Sequence, residues 1–529
     1  MSSFVTLPRD SNQALGIGQF AIDFLAGKLG PGPSDSVLER TQLFHTDATL
    51  CGVSALALQT NAPTILRNEA LEYLVDDPKL GAFVFGSNQQ VWAEKAIAAN
   101  SSAVREWDSN GTNFGYNPAL GHTAGEFGHN DFYPVVIAAC QQAGLDGSTA
   151  LRAMVLLDEI RGRLAEVFSL KTYKIDHVVH GAIASAAVYG ALLGADAEQI
   201  ESAIGMFVAH YIPWRAIRAG KQLSDSKGAS AAISTEAAIL CMKRSMEGFI
   251  GPKDIFRNPE AIFRFFEPTT DGAERWKEHG DSPFELVLSH SGDDFAVMGM
   301  HFKLGLYEHQ SAGALQGLID LIAAHPGILE PGAVMSIEIR AYEPAFGIIG
   351  NPAKKDPKTR QSADHSMAYI VATMLRKAIE NASIEPVFRD SDELWKKLML
   401  TPYDYKVDES AIFNPITREL MAKIEFAHGG PEYDAKYPDG IPTSISITDR
   451  EGHEHKSGLV MYPAGHARNT TADLRSILRS KFEMLGEIAF PDGADVSANI
   501  ERFESIHKAS AGELKRIYDI SYAHRSGFE

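Results

Sequence analysis

The chain has 529 residues, with 49 basic against 68 acidic side chains and a formal charge of −19 at pH 7. Hydrophobic residues make up 45% and charged ones 22%, a globular composition that excludes a disordered chain and is long enough for two or three cores. Such acidity argues against nucleic acid and against an anionic membrane as partners, since both demand an excess of Lys and Arg.

No apolar run reaches the roughly 18 residues a membrane span needs. The longest candidate, 178–194, is interrupted by His180 and rich in small residues, so it reads as a buried helix. Cys51, Cys140 and Cys241 lie far apart without a C-x-x-C pair. That pattern speaks against a disulfide scaffold and for a reducing compartment. The first residues lack a charged start followed by an apolar core, so no secretory signal is expected. The expectation is a cytoplasmic protein, or a mitochondrial-matrix one in a eukaryote.

From about residue 11 to 249 the pattern is mainly helical. Leu151, Met154, Leu157, Ile160, Leu164 and Val167 recur at three- and four-residue steps, one face of a helix opening near Ser148. The stretch 177–194 follows, where Gly and Ala let neighbouring helices approach closely. Asp196 with Gln199 resembles a capping box ahead of Ile200, Ile204, Phe207 and Val208. After about Pro252 the pattern changes. Residues 335–341 alternate strictly, as a half-buried strand does, and 443–447 with 453–461 read as a hairpin turning at 449–452. Helical stretches such as 364–378 lie between these strands, and the tail returns to helix with Leu474, Ile477, Leu478, Phe482 and Leu485 on one face. The economical reading is a mainly α protein with an α+β insertion: a helical domain of 1–297 and 463–529 around an α+β domain of 298–462.

Several chemistries are absent from the motifs. Gly16-Ile17-Gly18 lacks the third glycine and a preceding strand, so no dinucleotide site is expected, and neither a P-loop nor H-E-x-x-H occurs. His453 and His455 read as a solvated hairpin face rather than a metal site. The densest polar segment is 106–134, with Asp108, His122 and His129 among its five glycines. Glycine lets backbone approach a ligand, and the interleaved aromatics and the length of the segment argue against an ordinary surface loop. His177 begins the small-residue helix after Asp176, a position where packing is the commoner role. Arg215, Arg218 and Lys221 concentrate positive charge in 214–221, and Lys227 stands near the start of another small-residue helix. Cations at a helix start suit an anion, and such a lysine is placed for proton transfer.

The ordered set A-V-R-E-W-D-S-N-G-T, G-H, D-H-V-x-H-G-A-x-A-S-A-A, S-K-G-A-S-A-A, S-A-D-H-S-M-A-Y-I-V-A and Y-P-A-G-H-A-R resembles the MmgE/PrpD family, from about residue 35 to residue 485. The resemblance implies a large helical domain built from both chain ends, a smaller α+β lid, a cleft between them and a homodimer. It implies a lyase acting on a small polycarboxylate without metal or other cofactor: dehydration of 2-methylcitrate to 2-methyl-cis-aconitate in propionate breakdown, with citrate as a slower substrate. Decarboxylation of cis-aconitate to itaconate, epimerisation of a related acid and a non-catalytic relative are the alternatives. Carried over residue by residue, it marks Asp108, His122 or His129, His177, Lys227 and Tyr369 as catalytic, and Arg215, Arg218, Lys303 and His365 as substrate-binding. Gly111 stands where the family carries an acid, and the loop beyond it is longer.

Overall fold

The computed structural model describes residues 3–218, 222–265, 280–382 and 390–528. Nineteen α-helices and four small sheets make up these residues, the mainly α architecture with α+β elements that the patterns imply.

The helical body is organised around Val178–Leu192, which is buried from Val178 through Gly190. A helix apolar on every side has to sit inside, and small residues set how closely others approach. At Gly181 a Cβ would fall 2.0 Å from the Phe132 ring, so only glycine fits there. Asp225–Met246 packs against Val178–Leu192, Ala93–Glu106 and Ala197–His210. The Asp196–Gln199 capping box starts Ala197–His210, and Asp146 caps Gly147–Val167 by accepting from the Thr149 amide. Each Leu, Ile or Phe fully buried in this body contributes roughly 1.5–3 kcal/mol.

Gly16 and Gly18 lie inside the helix Gln13–Leu25, where they pack against Leu7 and Ala197. A short strand, Phe4–Leu7, does precede them, contrary to the pattern reading; it pairs antiparallel with Leu286–Ser289 and forms no βαβ unit.

The α+β part carries a four-stranded sheet ordered Glu454–Lys456, Thr443–Asp449, Val334–Ala341, Ile424–His428; its last pair is parallel. Val334, Ile337, Ile339 and Ala341 are buried, yet Met335 and Ser336 both face out because the register shifts between Val334 and Ser336. A bulge of this kind breaks strict alternation. The hairpin partner is also shorter than the pattern suggests. The ladder stops at Lys456, Gly458 takes φ +72°, and only an isolated bridge joins Thr443 to Val460. His453 is exposed, and His455 pairs with Asp449 at 2.8 Å.

Helix Ala312–Ala324 covers Thr443–Asp449, while the tail helix Leu474–Ala489 packs back on Asp35–Ala57 of the first half. No helix among the described residues is long and apolar enough to cross a membrane, and all three cysteines are free and buried.

Candidate active site

Helix Ala93–Glu106 ends where Trp107 turns extended and donates from Nε1 to the Ser54 hydroxyl at 2.9 Å. The chain then runs buried through Phe114. Four backbone bonds hold it: Thr112 and His301 exchange amide and carbonyl, Asn130 donates to the Gly111 carbonyl, and Tyr307 to that of Asp108. Thr112–Asn113 also pairs with Gly128–His129. The loop is thereby pressed between the helical body and residues 301–307.

Asp108 is the centre of a buried ionic cluster. Its carboxylate accepts from Lys303 and lies 3.4 Å from Arg105, 3.5 Å from Lys227 and 3.1 Å from His365 Nδ1. Asp364 takes Lys227 at 3.0 Å and His365 at 2.8 Å, and Asp131 stands 3.8 Å from Arg105. Burial alone would raise the Asp108 carboxyl, yet Arg105, Lys303 and Lys227 hold it well below the usual carboxylate range. Burial makes the Lys303 ammonium easier to deprotonate, against the pull of Asp108. Three cations thus face three carboxylates, so the cluster is neutral overall. Its lysines are committed to the protein's own acids.

Neutral imidazoles adjoin it. His129 and His177 lie with ring centroids 5.2 Å apart, and burial pushes both, and His309, well below the usual histidine range. Arg105 Nη2 is 3.4 Å from His129 Nε2, which must accept, leaving the proton on an Nδ1 with no partner. Neither nitrogen of His177 or His309 has a hydrogen-bond partner; the nearest acid to His177 is Asp176, 3.7 Å from Nδ1. Asp176 is in turn held by Arg218 at 2.5 Å, and Arg218 reaches Ser230. Phe114 packs on His309, on Phe127 and on Tyr437 from the sheet-bearing half. Tyr437 donates to the Gly125 carbonyl and stacks on Tyr342, whose buried hydroxyl is unpartnered. Buried polar atoms without partners, gathered in one place, are where a ligand's polar groups belong.

Cations without an ion-pair partner complete the picture, though the Lys171 ammonium lies over the Phe127 ring, 4.6 Å from its centroid. Among the described residues no acid or hydrogen-bond acceptor engages the side chains of Arg215, Lys171 or Lys354, although each is half-buried and burial lowers each. Lys354 senses Glu308, Lys227, Asp364 and Arg215, and Lys171 senses Glu126 and Arg215. Glu308 is pushed up to about 7 by its burial and by Asp108.

Of the residues marked in the sequence, Asp108, His129, His177, Lys227, Lys303 and His365 come together, with Arg215 and Arg218 beside them. His122 and Tyr369 do not. His122 is 3.0 Å from Glu166, an acid that Arg163 also holds. The Tyr369 hydroxyl donates to the Asp404 carbonyl at 2.5 Å, because its face of Met367–Ala382 turns toward Tyr405. Lys221 lies outside the described residues. Arg105, Asp364, Glu308, His309, Lys171 and Lys354 are additions. The only signal for two of them is adjacency: Arg105 is three residues before Asp108, and Asp364 immediately before His365.

Asp108, Asp364 and His365 offer ligand atoms within 4.8 Å of one another, a spacing that suits a cation. Here the ammonium groups of Lys227 and Lys303 already sit on those carboxylates. Any metal ion would have to displace them.

At Gly111, a Cβ would fall 2.4 Å from the Phe44 ring. That ring stacks on Phe302 at 3.9 Å, so an aromatic contact occupies the space an acid would need.

Residues 23–274 match the MmgE/PrpD N-terminal domain and residues 307–503 the MmgE/PrpD C-terminal domain. The chain is 24% identical over 341 residues to a 2-methylcitrate dehydratase of Escherichia coli strain K12, covering 62% of each chain. It is 27% identical over 367 residues to a mitochondrial 2-methylcitrate dehydratase of Yarrowia lipolytica, covering 66% of this chain and 62% of that one. An alkylcitrate dehydratase of a fungal species is 24% identical over 353 residues, 65% of this chain and 62% of that protein. The matched region therefore spans about three-fifths of each of these relatives. Because the two domain matches together cover most of its length, in the order the motifs run, the chain belongs to the MmgE/PrpD family.

Proposed function

We propose that this protein is a hydro-lyase that removes water from 2-methylcitrate or a close tricarboxylate. The observation that carries the reading is the separation of committed from free charge. The cluster around Asp108 is internally neutral, whereas Arg215, Lys171 and Lys354 have no acid of their own. Half-buried cations with no acid in contact fit a ligand that brings several carboxylates, and charge-assisted hydrogen bonds are worth about 1.5–3 kcal/mol each.

Dehydration needs a base for a carbon-bound proton next to a carboxylate, and an acid for the departing hydroxyl. His177, neutral and with Asp176 nearest Nδ1, presents its Nε2 lone pair as the base. Lys303, made more acidic by burial, supplies the proton that converts the hydroxyl to water, with Asp108 aiming the ammonium. His129 Nδ1–H and Tyr342 add donors for the charge that develops on the substrate carboxylate. The names of the relatives support the class of reaction.

The family implies a homodimer and a lid over a helical domain made of both chain ends. Tyr211, Trp214, Ile233, Phe249 and Ile250 are exposed on and beside two packed helices, and such apolar side chains support self-association. The contact of Leu474–Ala489 with Asp35–Ala57 supports the joining of the ends.

The test is an NMR time course of the EDTA-treated protein with 2-methylcitrate, citrate and cis-aconitate in separate tubes. An alkene from 2-methylcitrate supports the proposal. Itaconate from cis-aconitate with 2-methylcitrate untouched, or a change of stereochemistry alone, replaces it with decarboxylation or epimerisation. No reaction of any of the three refutes the reading.

A further inference from the structure

The inward face of Leu474–Ala489 is apolar at Ile477, Leu478, Phe482 and Leu485, yet Lys481 lies on it and is completely buried. Its ammonium donates to the Ser109 carbonyl at 2.7 Å and the Lys303 carbonyl at 2.8 Å, and forms an ion pair with Asp47 Oδ1 at 2.6 Å. Ser109 is the residue after Asp108, and Lys303 is the residue whose ammonium Asp108 accepts from. One buried cation thus holds the backbone at both halves of the Asp108–Lys303 couple.

Two further bonds bridge the same strands of chain, from Ser109 Oγ to the Gly305 carbonyl and from the Tyr307 amide to the Asp108 carbonyl. Asp47 is fully buried as well, and burial raises its carboxyl against the pull of Lys481 and, more weakly, of Lys303. A buried ion pair is a costly way to join two helices, and well-packed apolar side chains of similar volume do so at least as stably. The Phe44–Phe302 stack already ties Asp35–Ala57 to the chain before Lys303. What apolar residues cannot supply is a fixed distance between two carbonyl oxygens.

We infer that Lys481 and Asp47 are positioning residues that set the geometry of the Asp108–Lys303 couple. Neither is in contact with the reacting groups; Lys481 acts through the backbones of Ser109 and Lys303, and Asp47 through Lys481 and through its own charge, which Lys303 also feels. The kinetic part of this inference rests on the proposed dehydration. Its structural part does not.

The experiment compares the full chain with Lys481→Met/Asp47→Leu, a pair that keeps volume and removes charge. Asp47→Asn/Lys481→Gln serves if the apolar pair does not fold. The thermal midpoint should be retained or raised. Hydrogen exchange should accelerate at least tenfold in 108–112 and 301–307 while 178–192 keeps its protection. With 2-methylcitrate, kcat should fall about a hundredfold with KM within threefold, the scale of a small misplacement of reacting groups. In a Lys303→Met background the pair should cost little more. Unchanged exchange in both segments, or an unchanged kcat, overturns the inference, and so does a loss that adds fully to that of Lys303→Met. If the unsubstituted chain leaves 2-methylcitrate untouched, the dehydration reading fails alone, and the exchange data still decide the positioning role.

Discussion

Asp108 accepts a hydrogen bond from Lys303, 195 residues further along the chain, with both side chains fully out of water. Arg105 and Lys227 stand on the same carboxylate, so three cations depend on Asp108 and its neighbours Asp131 and Asp364 for their counter-charge. Asp108→Asn should therefore cost about 3–5 kcal/mol of stability, the usual effect of leaving buried charge uncompensated. It should also lower kcat by about a thousandfold, within the range of a lost acid–base or electrostatic element. Urea titration and initial rates check the two numbers separately.

Tyr369 provides the opposite case. Resemblance marks it as catalytic, but its hydroxyl is spent on the Asp404 carbonyl. Tyr369→Phe should cost about 1 kcal/mol, the worth of one buried hydrogen bond, and leave kcat within twofold. A fall in kcat of tenfold or more would restore the hydroxyl to the chemistry.

The free cations have a different signature. Lys354→Met and Arg215→Met should each raise KM for a tricarboxylate about ten- to a hundredfold, as loss of one charge-assisted contact does, with kcat little changed. Both effects should shrink for a substrate analogue lacking one carboxylate. Equal KM values for the substituted and unsubstituted chains would place the carboxylates elsewhere.

Burial keeps His177 neutral, with Asp176 opposing and Arg218, Arg215 and Arg105 reinforcing the shift. Its folded value is below the unfolded one, about 6.5. As pH falls through about 6.5 the unfolded chain binds a proton that the folded chain refuses, so stability falls toward acid. His177→Gln should flatten that dependence below pH 6.5 by about 1.4 kcal/mol per pH unit, the linkage slope for one proton. Denaturant titrations at several pH values read it. An unchanged slope would mean that the imidazole titrates alike in both states.

Much of this arrangement is legible in the sequence, and the exceptions have physical reasons. Period and capping locate Ala197–His210 and Leu474–Ala489, because propensity and packing agree there. The small-residue pattern of 177–194 likewise foretells a buried helix. Asp108, Lys227 and His365 stand in recognisable short motifs, and the fold brings Lys227, Lys303 and His365 onto the Asp108 carboxylate. The choice between His122 and His129 is not legible, since it depends on the two-residue ladder of Thr112–Asn113 with Gly128–His129. Lys354, Glu308 and Lys481 carry no local signal either. A lysine in an amphipathic helix ordinarily faces water, and Lys481 does not because Asp47 and two carbonyls await it. Nor does composition reveal that Lys227 and Lys303 are neutralised from within.

The central claim is that the Asp108–Lys303 couple dehydrates a tricarboxylate with the chain's own residues. Its most direct test is the NMR alkene signal from 2-methylcitrate, followed for the EDTA-treated chain and for Asp108→Asn at matched folded concentration. The account predicts steady growth of a 2-methyl-cis-aconitate signal with the first and essentially none with the second. An unchanged 2-methylcitrate spectrum with the folded, unsubstituted chain, or equal rates for the two, would contradict it.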